Sequence, residues 1–161
     1  MKEINQNISY KELENASELP AQLAELLVRA RAATDSAYAP YSKFQVGAAV
    51  LLESGIIVTG SNQENASSPA GICAERVALS TASATHPSTA VTAIAISAKA
   101  NDKKITSPVS PCGICRQTLL EYEHRFHRNI QIVLQGEEGT ILWIASVKEL
   151  LPLFFSRENL V

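Results

Sequence analysis

Three cysteines are the only thiols in the chain, and their spacing suits metal ligation better than disulfide pairing. Cys73 opens the run Cys73-Ala74-Glu75-Arg76, and Cys112 and Cys115 lie within Pro111-Cys112-Gly113-Ile114-Cys115-Arg116-Gln117. Three thiolates occupy three positions of a tetrahedral zinc ion, whereas structural zinc sites are closed by four protein ligands. The count therefore favours chemistry, with the last position left to water. Glu75, two residues from the first thiolate, is placed to reach that water without binding the metal. Water on zinc has its pKa lowered to about 7 and needs a base to take its proton, so Glu75 is the candidate catalytic residue.

Each part of this pattern has a plainer use. A lone C-x-x-C also suits a redox pair, a single cysteine suits a core, and a carboxylate at a helix start is commonly solvated. The three cysteines together with Glu75 point to one Zn2+ per subunit, held by Cys73, Cys112 and Cys115. Three thiolates on a dication leave a net negative site. Arg76 and Arg116, each directly following a ligand, are the candidates to offset it by donating hydrogen bonds to sulfur, although arginines are more often simply exposed. His86, His124 and His127 are not needed as ligands.

The elements that must position these residues follow from periodicity. Residues 20–37 carry Leu23, Leu26, Leu27, Ala30 and Ala33 at helical spacing, predicting an amphipathic first helix. Residues 44–52 and 56–60 form β-rich runs around Glu53-Ser54-Gly55, a hairpin signal. Helices are predicted over 73–84 and 112–124, with a short apolar strand at 91–98 between them. Cys112 and Cys115, three apart, then share one helix face. Both Cys73 and Cys112 fall at helix starts, where the helix dipole lowers thiol pKa. Residues 130–134 and 140–145 suggest a further strand pair, and residues 147–155 begin helical and end near Pro152. Residues 1–18 form a polar arm or a short strand. This order predicts a single domain over 1–161, a three-layer α/β/α arrangement around a mixed sheet of about five strands.

Composition narrows the function classes. Of 161 residues, 46% are hydrophobic and 19% charged, as in an ordinary globular protein, and the formal net charge is −2. That balance disfavours a phosphate-backbone partner, so no nucleic acid is expected. No apolar run reaches membrane-spanning length, so no membrane is expected either. An odd cysteine count and a polar start suggest a cytoplasmic, reducing setting.

The run Cys-Ala-Glu at 73–75, followed by Pro-Cys-x-x-Cys-Arg-Gln at 111–117, resembles the signature of the cytidine deaminase superfamily, whose zinc deaminases use a non-ligand glutamate as acid and base. A cysteine as first ligand resembles the small tetrameric members. The resemblance spans residues 38–160 and implies the family's three-layer fold. It also implies zinc-dependent hydrolytic deamination of cytidine and 2′-deoxycytidine, and a homotetramer with shared active sites. Phe44-Gln45-Val46-Gly47-Ala48-Ala49 resembles the strand whose aromatic packs beside the base. Asn62-Gln63-Glu64-Asn65-Ala66 is similar to the segment whose Asn and Glu hold ribose hydroxyls. By the same resemblance Ala74 joins the substrate-binding set, and the carbonyl of Ser110 accepts from the base amino group. Leu150-Leu151-Pro152-Leu153-Phe154-Phe155 resembles the C-terminal stretch that lends an aromatic to a neighbouring subunit's site, a role the resemblance gives to Phe155. Ser68 and Ala70 are smaller than the residues many members carry there, and the 101–109 loop and the N-terminal arm are extra.

Three other readings are separable. A blasticidin-type deaminase would not need Asn62 and Glu64. A nucleic-acid editor should show a basic groove and stacking aromatics beyond the pocket, which the acidic balance and 6% aromatic content disfavour. A non-catalytic zinc protein would have no use for Glu75.

Overall fold

The computed structural model describes residues 1–160. Its strands are β1 (Lys11–Leu13), β2 (Phe44–Leu52), β3 (Ile57–Ser61), β4 (Val91–Ala100), β5 (Gln131–Gln135) and β6 (Ile141–Ile144). Its helices are α1 (Ala21–Ala33), α2 (Ala74–Thr85) and α3 (Gly113–Phe126). Strand alternation separates the two halves of the core. Along β2, Ala48, Val50 and Leu52 belong to one apolar cluster while Ala49 and Leu51 belong to the other, as the two-residue period of a strand requires. Leu23, Leu26, Leu27 and Ala30 of α1 close the second cluster, and Ala78 and Leu79 of α2 with Leu119 and Leu120 of α3 close the first. The result is the expected three-layer α/β/α arrangement, with α1 on one face and α2 and α3 on the other.

The sheet has six strands rather than about five, in the order β1-β6-β5-β4-β2-β3. Only β4 and β5 run parallel, with α3 as the crossover between them; the remaining pairs are antiparallel. The additional strand is β1, contributed by the N-terminal arm, where Lys11, Glu12 and Leu13 face Trp143, Leu142 and Ile141. Lys11 also places its ammonium 4.3 Å from the Trp143 ring centroid, a cation–π contact that favours this edge pairing. The hairpin turn between β2 and β3 is as expected, with Gly55 at φ 85, a conformation glycine adopts without steric cost.

Two further boundaries differ from expectation. The first helix ends at Ala33 and tightens into a 3-10 turn at Thr34–Ser36. The C-terminal helical stretch is a single 3-10 turn, Val147–Leu150, started by the Ser146 hydroxyl accepting from the Lys148 amide. Among the described residues no helix is long and apolar enough to cross a membrane.

One glycine sets where the site can form. A Cβ on Gly60 of β3 would lie 2.4 Å from the Ala78 amide nitrogen and 2.6 Å from the Ala74 carbonyl oxygen. The absence of a side chain lets α2 lie directly on the strand and carries its first turn to the sheet edge.

Candidate active site

The metal-ligating residues stand at two helix starts. Cys73 (φ −74, ψ 151) is the N-cap of α2 and Cys112 (φ −67, ψ 167) the N-cap of α3. Both are extended while their carbonyls already accept the first helical bonds: Arg76 and Val77 bond to Cys73, and Arg116 bonds to Cys112. Cys115 lies one turn into α3 and is buried, whereas Cys73 is half-buried and Cys112 exposed. The sulfurs of Cys73 and Cys112 are 3.8 Å apart, those of Cys112 and Cys115 3.5 Å, and all three lie within 4.8 Å of one another. A tetrahedral ion with Zn–S bonds of about 2.3 Å needs its sulfurs about 3.8 Å apart. The donor set therefore fits zinc in number, chemistry and spacing.

Electrostatics prepares the thiols for that role. A hydrogen bond from Cys115 pulls the Cys73 thiol down to about 6, with Cys112 and the Arg76 charge adding to the effect against burial and Glu75. Cys115 is pushed up because it is the donor in that bond and is buried. A proton shared between sulfurs is what a metal ion displaces on binding. Glu75, only 4% exposed, has its carboxyl raised by burial, partly opposed by the helix-start amide and the Cys115 thiol. A raised carboxyl beside the thiolates is suited to holding a proton and returning it.

A cleft of about 460 Å³ opens beside Cys73 and is lined by Asn62 and Glu64 among others, within the size range of small-molecule sites. Asn62 is fixed by β2: its Oδ1 accepts from the Val46 amide at 2.8 Å and its Nδ2 donates to the Phe44 carbonyl at 2.9 Å. The Glu64 carboxylate accepts from the Tyr41 amide at 2.9 Å and from the Ser42 amide at 3.3 Å. The Ser42 side chain foremost, then these amides and Lys43, hold its carboxyl below the ordinary range. Tyr41 and Ser42, which carry no site signal of their own in the sequence, thus order one of the expected sugar-binding groups. Their position just before the aromatic start of β2 was the available signal.

The other expected site residues are spread around this centre. Phe44 is half-buried at the start of β2, and Ala74, fully buried, is the first residue of α2. Ser110 is exposed immediately before Pro111, and Phe155 is 57% exposed. Arg76 is half-buried, and its charge is among the influences lowering Cys73. Arg116 directs its hydrogen bonds elsewhere than to sulfur: Nε donates to the Pro111 carbonyl at 2.8 Å and Nη1 to the Leu150 carbonyl at 2.7 Å. Gln117, the last residue of the Pro111–Gln117 motif, donates to the Phe155 carbonyl at 3.0 Å. Leu150 and Phe155 lie 34 and 38 residues away from these donors in the chain, beyond the reach of local spacing.

Residues 20–128 match the family model described as the cytidine and deoxycytidylate deaminase zinc-binding region. A cytidine deaminase of Halalkalibacterium halodurans is 39% identical over 135 residues, covering 84% of this chain and 95% of that protein. One of Sporosarcina psychrophila is 38% identical over 136 residues, covering 84% and 93%. The crystal structure of cytidine deaminase from Burkholderia pseudomallei superposes with a TM-score of 0.71 at 37% identity, covering 81% of this chain and 97% of that one. That from Mycobacterium tuberculosis gives 0.65 at 30% identity, covering 85% and 99%. With the three cysteines, the adjoining glutamate and this coverage in agreement, the chain belongs to the zinc-binding cytidine and deoxycytidylate deaminase family.

Proposed function

We propose that the chain catalyses the hydrolytic deamination of cytidine and 2′-deoxycytidine to uridine and 2′-deoxyuridine, with release of ammonia, as a step of pyrimidine salvage. The observation that carries this reading is the buried Glu75 beside three converging sulfurs, one of which, that of Cys73, belongs to a residue lining the same cleft as Asn62 and Glu64. Zinc, when held by Cys73, Cys112 and Cys115, supplies a Lewis acid that makes water acidic enough to react near neutral pH.

The remaining work falls to the chain's own groups. Glu75 takes a proton from the attacking water, which adds at C4 of the ring. Glu75 hands that proton to N3, then takes the proton of the new C4 hydroxyl and delivers it to the amine, so that ammonia leaves and the C4 carbonyl remains. Phe44 packs against the base, with Ala74 beside it, and the Ser110 carbonyl accepts from the amino group. Asn62 and Glu64 hold the sugar hydroxyls, chemistry open to an amide and a carboxylate. Arg76 offsets the negative charge of the thiolates. The working form is a homotetramer in which Phe155 of each subunit completes a neighbour's site, in the reducing cytoplasm where free thiols persist.

An ultraviolet assay with cytidine, 2′-deoxycytidine and a cytosine-containing oligonucleotide tests the reading. The expected result is turnover of both nucleosides and none of the oligonucleotide. A zinc-loaded protein that leaves both nucleosides unchanged overturns it.

A further inference from the structure

Residues 151–155 link the 3-10 turns Val147–Leu150 and Arg157–Asn159 without helix or strand of their own. Leu153 is 98% exposed with φ 54, and Phe155 is also exposed. Between them Phe154 turns inward, packing on the core beside α2 and α3 and meeting His124 edge-on at a centroid distance of 6.1 Å. This short loop is held at both ends by consecutive side chains of α3. Arg116 Nη1 donates to the Leu150 carbonyl at 2.7 Å, and Gln117 Nε2 donates to the Phe155 carbonyl at 3.0 Å. The same guanidinium reaches the other way, with Nε on the Pro111 carbonyl at 2.8 Å. Pro111 is the buried residue directly before the ligand Cys112.

A planar guanidinium with fixed donor directions joins two carbonyls that a single ammonium cannot serve together in the same geometry. The bridge is therefore specific to arginine. A carbonyl bond to a charged donor is also stronger than a neutral one.

We propose that Arg116 and Gln117 are positioning residues that lock the C-terminal loop to the metal centre. Gln117 fixes the backbone that presents Phe155, and Arg116 ties the start of the loop to the segment that delivers Cys112. The kinetic part of this proposal rests on the deaminase reading above; the metal and backbone parts do not.

The test compares Gln117→Glu, which keeps the shape but loses the donor, with Arg116→Lys, which keeps the charge but loses the two-way fork. Three readouts are taken: zinc release to a chromogenic chelator, hydrogen–deuterium exchange over residues 151–156, and kcat and KM for cytidine. Gln117→Glu is expected to raise exchange in the loop and KM about fivefold, the scale of one neutral hydrogen bond. Its kcat and zinc release should match the parent. Arg116→Lys is expected to raise loop exchange and KM and to speed zinc release about tenfold, the scale of a charge-assisted bond. Lower melting temperatures with unchanged zinc release, loop exchange and KM would overturn the proposal. If Arg116→Lys fails to fold, parent-like loop exchange in Gln117→Glu overturns the clamp and raised exchange supports it. If the parent turns over no nucleoside, the deaminase reading fails while exchange and zinc release still decide the clamp.

Discussion

Asn62 donates its side-chain amide to the Phe44 carbonyl at 2.9 Å. The residue proposed to hold the sugar is thereby tied to the residue proposed to pack against the base. Its Oδ1 accepts from Val46 on the same strand at 2.8 Å, so the amide plane is set before any substrate arrives. A group whose orientation is already fixed loses little freedom on binding, which is where preorganised sites gain affinity.

Replacing Asn62 with Asp keeps the acceptor for Val46 and removes the donor to Phe44. Asn62→Asp is expected to cost about 1–3 kcal/mol of stability, since the Phe44 carbonyl loses its partner and faces a carboxylate. KM for cytidine should also rise tenfold or more. Urea denaturation and steady-state kinetics check both; parent-like values in both would contradict the anchoring.

Glu64 gives a pH signature. Its carboxyl is held low, first by the Ser42 side chain and then by the Tyr41 and Ser42 amides. A group whose folded pKa is depressed stabilises the fold fully above its ordinary value of 4.5 and loses that contribution as pH falls through the folded value. The stability difference between the parent and Glu64→Gln should be open at neutral pH and close in acid below 4.5. A difference that does not change with pH would contradict the bonding of the Tyr41–Ser42 loop to an ionised Glu64.

Gly60 links the sheet to the metal. An alanine there would set its Cβ 2.4 Å from the Ala78 amide nitrogen, forcing α2, and with it Cys73 and Glu75, away from β3. Gly60→Ala is expected to destabilise by about 1–3 kcal/mol, the usual cost of overpacking, and to weaken zinc retention. Denaturation and zinc titration would show it. Parent-like behaviour in both would mean that α2 has room to shift without disturbing its ligand.

The parts of this site that were legible in sequence are those set by local spacing. Cys73 and Cys112 read as helix starts and are the N-caps of α2 and α3. The hairpin read from Glu53-Ser54-Gly55 also formed, because its turn chemistry is local. Strand β1 falls in the segment that reads as either a polar arm or a short strand, because Lys11-Glu12-Leu13 is short and has no alternation of its own to decide between them. It forms by pairing with β6 and by the contact of Lys11 with Trp143. Arg116 was expected at sulfur because it neighbours Cys115, yet its donors are taken by Pro111 and Leu150. The path of residues 151–155 was hidden for the same reason: its supports come from α3, far away in the chain.

The central claim is that Glu75 moves protons and does not hold the metal. Zinc stoichiometry and cytidine turnover, measured together on Glu75→Gln, test it most directly. The account predicts one zinc per chain as in the parent, an unchanged fold, and turnover lower by about 10²- to 10⁴-fold. Turnover close to the parent's, with zinc retained, would contradict it.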